Sequence, residues 1–384
     1  AEDGIRARSP SRGLGDVYKR QIMELLRREL PKYGGSFIQC EDEIASVSMA
    51  IGASYGGNVA VTGSSGPGIS LKAEAVGWAV MAEMPLVVID VQRGGPSTGL
   101  PTDVEQSDLN IACYGGHGDS PRVVLAASDV EDCFYTAIEA VNIARKYSVP
   151  VFVLSDQAIA TRIEAFNEPD LKTICKDIEL DLSPVSSHKP YDLSSGDGLS
   201  GHRAPGTRIE DGRYPVVTGL EHDESGHPSG DAVNHIAMTK KRRNKLKTLA
   251  DELPTPELFG PESGDVLLVG WGSTKGPLHE AVDAIVDRWQ ESAKRMKLAL
   301  EERHAGYPSA QAEADAKLAT ARAALATNTH AVALPAFNKA MTTATGAITT
   351  LTAMVSSMSK IRNCSREKRA QSTGPTWVTR ATSA

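Results

Sequence analysis

The stretch Gln92-Arg-Gly-Gly-Pro-Ser-Thr-Gly-Leu-Pro-Thr102 combines the guanidinium of Arg93, the hydroxyls of Ser97 and Thr98, and glycines at 94, 95 and 99. A planar two-pronged donor such as Arg93 suits a substrate carboxylate, and the glycines let a backbone approach a ligand closely. A second candidate group is Glu41-Asp42-Glu43. Glu41 and Asp42 read as charges at a helix N-terminus, where the dipole stabilises each by about 0.3–1 kcal/mol. Glu43 lies one residue further in, beside Ile44 and Ala45, where partial burial raises a carboxyl pKa and favours a shared proton. The third group, Gly63-Ser64-Ser65-Gly66-Pro67-Gly68, follows an apolar strand and opens a helix. Its amides can bind an anion, and an ordinary tight turn explains it equally well. It is neither a Gly-Lys-Ser/Thr loop nor a G-x-G-x-x-G fingerprint, which weakens ATP and NAD as ligands.

These residues need a scaffold that brings strand ends and helix starts together. Pro85-Leu-Val-Val-Ile-Asp-Val91 is the near-continuous apolar run of a strand buried on both faces. The Arg93 loop leaves its carboxyl end, where open α/β sheets keep their ligand crevice. From Ile22 to Arg162 helices are expected over 22–30, 41–55, 69–82, 103–112 and 130–146. Strands are expected over 36–40, 58–62, 85–91, 122–126 and 150–154. Such alternation predicts a parallel sheet covered on both faces. Residues 164–262 are polar and rich in Pro, Gly, Asp and His, an irregular connecting segment of the kind that is functional or wraps the surface. A second α/β unit, over 263–300, is expected to start with strand Val266–Gly270, turn Trp271–Gly276 and helix Leu278–Gln290.

Both ends read differently from the middle. Residues 1–21 lack hydrophobic periodicity and the apolar core of a signal peptide; AEDGIR and GLGDVYKRQ look like translated sequencing-adapter DNA, and the segment is set aside. Over 301–384 the composition drifts to Ala and Thr, and a frameshift competes with an Ala-rich helical extension over Ala310–Ala326.

A chain of 384 residues can bury a large core. Its formal charge of -7 argues against nucleic acid as the main partner, and no apolar run reaches membrane-span length. Cys40, Cys113, Cys133, Cys175 and Cys364 include no C-x-x-C pair, so no zinc or iron–sulfur cradle is evident. Reduced thiols in a cytoplasm are the simplest reading. In Glu221-His-Asp-Glu-Ser-Gly-His227 the histidines lack the His-Glu-x-x-His spacing, which argues against a metal site. Gly196-Asp-Gly198 follows polar residues and reads as a surface turn. The basic run Lys240–Lys247 reads as a solvated helical face, with docking of an acidic protein as the sharper alternative.

Taken together and in this order, Gln39–Ser46, Gly63–Gly68, Gln92–Thr102 and Tyr214–Pro228 resemble the alpha subunits of 2-oxoglutarate:ferredoxin oxidoreductases of the KorA type, in the 2-oxoacid:acceptor oxidoreductase family, over about Ile22–Gln290. The resemblance implies an α/β fold: a parallel-sheet, pyrimidine-binding thiamine diphosphate domain over 22–163, then the start of a transketolase C-terminal-like domain over 263–300. It implies CoA-dependent oxidative decarboxylation of 2-oxoglutarate to succinyl-CoA with reduction of ferredoxin. The thiamine diphosphate site would be shared with a beta subunit that brings Mg2+ and a [4Fe-4S] cluster. On this resemblance Glu43 meets N1′ of the aminopyrimidine and shares a proton with it. Arg93 takes the substrate carboxylate, Ser97 and Thr98 are further substrate contacts, and Ser64, Ser65 and Gly66 join Glu43 around the cofactor. The acidic protein greeted by Lys240–Lys247 would then be ferredoxin.

The chain departs from the family pattern in three ways. The family's Tyr-Pro-Ile-Thr-Pro segment would lie just before Ile22, where the adapter-like residues stand. The match ends near Glu291. No diphosphate–magnesium motif or cluster ligand set is present, so turnover is expected only with the beta subunit. Three alternatives stay open: the same reaction on pyruvate or a branched-chain 2-oxo acid, a non-oxidative thiamine lyase, and a cofactor-free structural or regulatory subunit, against which Glu43 and Arg93 argue.

Overall fold

The computed structural model describes residues 17–170, 184–212, 216–260 and 267–304, with Ile174 and Tyr214. Residues 1–16 of the adapter-like segment, the alternative helix Ala310–Ala326, Cys175 and Cys364 lie outside the described residues. The chain divides into two units, one within residues 1–254 and one within 255–374.

The first unit is built on a parallel sheet in the order β1-β2-β4-β3, with β1 Val61–Ser64, β2 Leu86–Gln92, β3 Val123–Ala126 and β4 Pro150–Asp156. β2 and β4 pair from Leu86↔Pro150 to Gln92↔Asp156, and their side chains alternate between two cores. On one face Leu86, Val88, Phe152 and Leu154 pack with Val47 and Ile51 of α2 (Glu43–Tyr55) and with Ile69 and Val76 of α3 (Gly66–Met81). On the other, Val87, Val151 and Val153 pack with Ile143, Ala144 and Tyr147 of α5 (Val130–Tyr147) and with Leu246 and Leu249 of α7 (Ala232–Glu252). Also among the described residues of this unit are α1 (Val17–Glu29), a 3₁₀ turn (Leu30–Tyr33), α4 (Leu109–Tyr114) and the single turn α6 (Gln157–Ala160).

Some expected elements moved. Ser36–Cys40 joins no ladder. Its only apolar members, Phe37 and Ile38, offer too little buried area to offset the entropy of ordering, and Ile38 is 60% exposed. The helix expected over 103–112 starts only at Leu109, because residues before it serve the site: the Asp108 amide donates to Gln92 Oε1 at 3.2 Å and Ser107 Oγ to the Arg93 carbonyl at 2.8 Å. α3 begins earlier than expected, with Pro67 in its first turn, where a missing N–H costs nothing.

The basic run on α7 corrects the solvated-face reading. Lys241, Arg242 and Lys245 are buried, while Lys240, Arg243 and Lys247 face solvent. Lys241 and Lys245 close on Glu83 at 2.7 and 2.9 Å, and Arg242 holds Glu221 at 3.0 Å. Burial alone would raise the Glu83 pKa, but the charges of Lys245 and Lys241 outweigh it and hold the carboxyl below its ordinary range. Burial pushes Lys245 down to about 8 against the pull of Glu83. Gly198, at φ 78, lies against the Lys241 carbonyl, so the Gly196-Asp-Gly198 turn is a packing element of this helix.

In the second unit, Leu267–Gly270 form no strand, and Leu267 is 68% exposed. A short 3₁₀ turn, Gly272–Thr274, leads into α8 (Lys275–His304), and Phe259 stacks on the His279 ring at 3.8 Å. α8 outruns the expected Leu278–Gln290 because Glu291–His304 contain neither Gly nor Pro and are rich in strong helix formers.

Candidate functional site

The candidate site lies at the carboxyl ends of β1 and β2. Asp42 caps α2, its carboxylate accepting from the Ile44 and Ala45 amides at 3.0 Å each. Capping is therefore complete without Glu43, the half-buried first residue of the helix. Lys72, buried on α3, donates to the Glu43 carbonyl at 3.1 Å and to Thr62 Oγ1 at 3.0 Å, and Ser46 Oγ lies 2.9 Å from the same threonine. The start of α2 is thereby tied to β1 and α3.

The Glu43 carboxylate lies over the first turn of α3. A Cβ on Gly68 would overlap the Ser64 hydroxyl and stand 2.9 Å from Glu43 Cγ and 3.0 Å from its Oε1. A Cβ on Gly66 would stand 2.9 Å from Asp108 Oδ1. The two glycines thus keep this turn bare between two carboxylates. Ser64 and Ser65 are buried, and the Ser65 carbonyl takes the Gly68 and Ile69 amides at 2.8 and 3.0 Å. The Gly66 amide bonds Asp108. The anion expected at this helix N-terminus is therefore the protein's own carboxylate.

The Arg93 loop folds back on itself. Leu100 N donates to Gly94 O at 2.9 Å, forming an isolated bridge, and a Cβ on Gly99, at φ 49, would overlap the Gly94 carbonyl. The Gly95–Pro96 peptide is cis. Ser97, at φ 57, and Thr98 stand exposed at the tip. Arg93, at the base, is half-buried, and its Nε is buried with no hydrogen-bond partner. The structure thus joins Glu43, Ser64, Ser65 and Gly66 in one corner and links Arg93 to that corner through Ser107 and Asp108, while Ser97 and Thr98 stay apart at the surface.

Some of the groups around the site escaped the sequence reading. Asp90, fully buried on β2 beside Asp108, is pushed well above the usual carboxylate range by burial and then by the Asp108 charge. Burial also raises Asp108, against the lowering hydrogen bonds from Ser107 and Gly66. A carboxylate inside an apolar strand, and Lys72 at helical spacing between Ile69 and Val76, were the available signals. The Glu221–His227 loop is a packing and ion-pair element: His222 is buried against the Tyr191 ring at 3.8 Å, and Glu221 binds Arg242 and His235. Among the described residues no cluster able to hold a metal ion is present, and no helix is long and apolar enough to cross a membrane.

Residues 19–241 match the family described as pyruvate flavodoxin/ferredoxin oxidoreductase, thiamine diphosphate-binding. The chain belongs to this family. Members similar to it include the 2-oxoglutarate oxidoreductase subunit KorA of Mycobacterium tuberculosis, 45% identical over 63% of this chain and 37% of that protein. The 2-oxoglutarate synthase subunit KorA of Methanocaldococcus jannaschii is 37% identical over 68% of this chain and 69% of that protein. Among solved structures, a chain of the 2-oxoglutarate:ferredoxin oxidoreductase from Magnetococcus marinus, described with 2-oxoglutarate, coenzyme A and succinyl-CoA bound, is 39% identical with a TM-score of 0.65, over 72% of this chain and 50% of that one. The chain thus spans about half the length of this solved family member or less than that of the mycobacterial one.

Proposed function

We propose that the chain supplies the pyrimidine side of a thiamine diphosphate site in a 2-oxoacid:ferredoxin oxidoreductase, as part of an alpha subunit that works only with a beta subunit. The assigned reaction is oxidative decarboxylation of 2-oxoglutarate to succinyl-CoA, with CoA as acyl acceptor and ferredoxin as electron acceptor. One arrangement carries this reading: a Glu43 carboxylate not used for capping, over a bare glycine turn, with Arg93 linked to the same turn and offering a buried nitrogen without a partner. Family membership and the names of the relatives support it.

The residues fit the cofactor. Gly66 and Gly68, having no side chains, let Asp108, Ser64 and Glu43 close on the turn, which brings the Glu43 carboxylate against the start of α3 where a pyrimidine ring nitrogen could meet it. Bound thiamine diphosphate would supply the carbon nucleophile and electron sink, with Mg2+ and the [4Fe-4S] cluster brought by the beta subunit. Glu43 would hold a proton shared with the pyrimidine N1′. Ser64, Ser65 and Gly66 would form the floor beneath the ring. Arg93 would grip the 2-oxo acid carboxylate and satisfy its own orphaned donor. Ser97 and Thr98, at the loop tip, are proposed as further substrate contacts. The unpaired thiols of Cys40, Cys113 and Cys133 support a cytoplasmic setting.

The test is direct. An alpha subunit carrying this chain, co-expressed with its beta partner, should reduce a viologen dye only when a 2-oxo acid and CoA are both present. Dye reduction that ignores CoA, or none with any 2-oxo acid, would refute the assignment. Comparing 2-oxoglutarate, pyruvate and branched-chain acids fixes the substrate.

A further inference from the structure

Beneath the site lies a pair of carboxyls that binding and proton sharing by Glu43 and Arg93 do not use. Asp90 is fully buried on β2, in register with Ser64 of β1 and Leu154 of β4. Apart from the Asp108 carboxyl beside it, neither of its oxygens has a hydrogen-bond partner. Two ionised carboxylates cannot share such a place, because the interior neither solvates nor pairs the second charge. Asp108 is the member with stabilising donors, the Gly66 amide and the Ser107 hydroxyl, whose one proton it shares with the Arg93 carbonyl, so it keeps the charge. Its Oδ2, buried without another partner, is left to accept the proton of Asp90.

Around this pair converge the parts that must stay in register. The Asp108 amide is held by Gln92, whose Nε2 reaches the Ser155 carbonyl of β4 at 3.4 Å. The Ser107 hydroxyl lies between Asp108 and the Arg93 carbonyl. The groups whose charges act on Asp108 are Glu105, which opposes its ionisation, and Arg93, which favours it.

We propose that Asp108, hydrogen-bonded to Asp90, is a positioning residue for the substrate arginine: through the Gly66 amide and the Ser107 hydroxyl it fixes the first turn of α3 to the backbone of the Arg93 loop. The inference rests on the proposed oxidoreductase reading, since it assigns Arg93 a carboxylate ligand. Asp108 and Asp90 touch neither substrate nor cofactor in this scheme. Their effect passes through Arg93 and appears in KM rather than kcat.

The experiment uses the alpha–beta complex. Asp108→Asn is expected to raise the KM for the 2-oxo acid about tenfold or more while kcat changes roughly threefold or less. Asp90→Asn keeps a hydrogen-bond donor toward Asp108 and should retain most of the substrate affinity that Asp90→Leu loses. An unchanged KM in Asp108→Asn, or an Asp90→Asn complex as impaired as Asp90→Leu, overturns the proposal. If Asp108→Asn fails to assemble, the two Asp90 variants decide by the same comparison. Infrared spectroscopy of the complex gives a readout independent of the reaction: at neutral pH the wild type should carry a protonated-carboxyl band that Asp90→Asn lacks, and its absence from the wild type overturns the shared proton. A wild-type complex that turns over no 2-oxo acid but carries that band refutes the proposed function and leaves the buried acid pair standing.

Discussion

Because Asp42 satisfies the first amides of α2, Glu43 can be altered without unravelling the helix. Glu43→Gln is expected to leave the far-ultraviolet circular dichroism unchanged and to lower kcat by roughly 10²–10⁴-fold in the dye assay, the usual span for a positioned proton-transfer group. Retained turnover would remove the role assigned to it. Arg93→Ala deletes a charge-assisted pair worth about 1.5–3 kcal/mol, so KM for the 2-oxo acid should rise roughly tenfold to a hundredfold. Lysine should restore only part of that, having no planar fork. Glu43 and Arg93 could be singled out as candidates in the sequence because each sits where an apolar run meets a helix start or a glycine-rich loop. Asp90, Asp108 and Lys72 were not, since what they do depends on which side chains the fold brings together. A strand pattern says that Asp90 is buried, and only the assembled sheet says beside what.

At the scale of elements, the turn Ser64–Gly68 sets the geometry of the corner. Gly68→Ala would drive a methyl into the Ser64 hydroxyl and the Glu43 side chain. It should abolish thiamine-dependent turnover while Gly77→Ala, at a helix position with open space around it, remains active in the same assay. The β2–loop and β4 elements were readable from their apolar runs, and the parallel pairing of the strands followed from alternation with helices, whereas the order β1-β2-β4-β3 came only from the assembled sheet. Ser36–Cys40 was misread because a short β-like pattern says nothing about whether a neighbouring edge is free to receive it. α7 was misread for a complementary reason: charge runs are normally solvated, and nothing local reveals that Glu83 lies waiting for two of its lysines. That clamp is testable. Glu83→Gln strands two buried ammonium groups and should cost about 3–5 kcal/mol in denaturant unfolding. The same logic gives a pH dependence. The folded-state pKa of Glu83 lies below its ordinary 4.5, so its contribution is in place above that value and is lost as pH falls through the folded pKa.

For the molecule as a whole, the parallel α/β class was legible, while the second unit was legible only as a helix. Within a chain of net charge -7, the buried Lys241, Lys245 and Arg242 are paired with two carboxylates, Glu83 and Glu221. The division of α7 into a wet stripe and a dry one has a chemical consequence. An amine-acylating reagent added to the native protein should modify Lys240 and Lys247 at once and spare Lys241 and Lys245. The slow appearance of label at the spared pair would then time the opening of the first unit, peptide by peptide in a mass spectrometer. Equal labelling of all four lysines in the native protein would contradict the buried clamp. Within a single eight-residue run, Lys240–Lys247, the chain thus carries both a reactive reference and a protected probe of its own integrity.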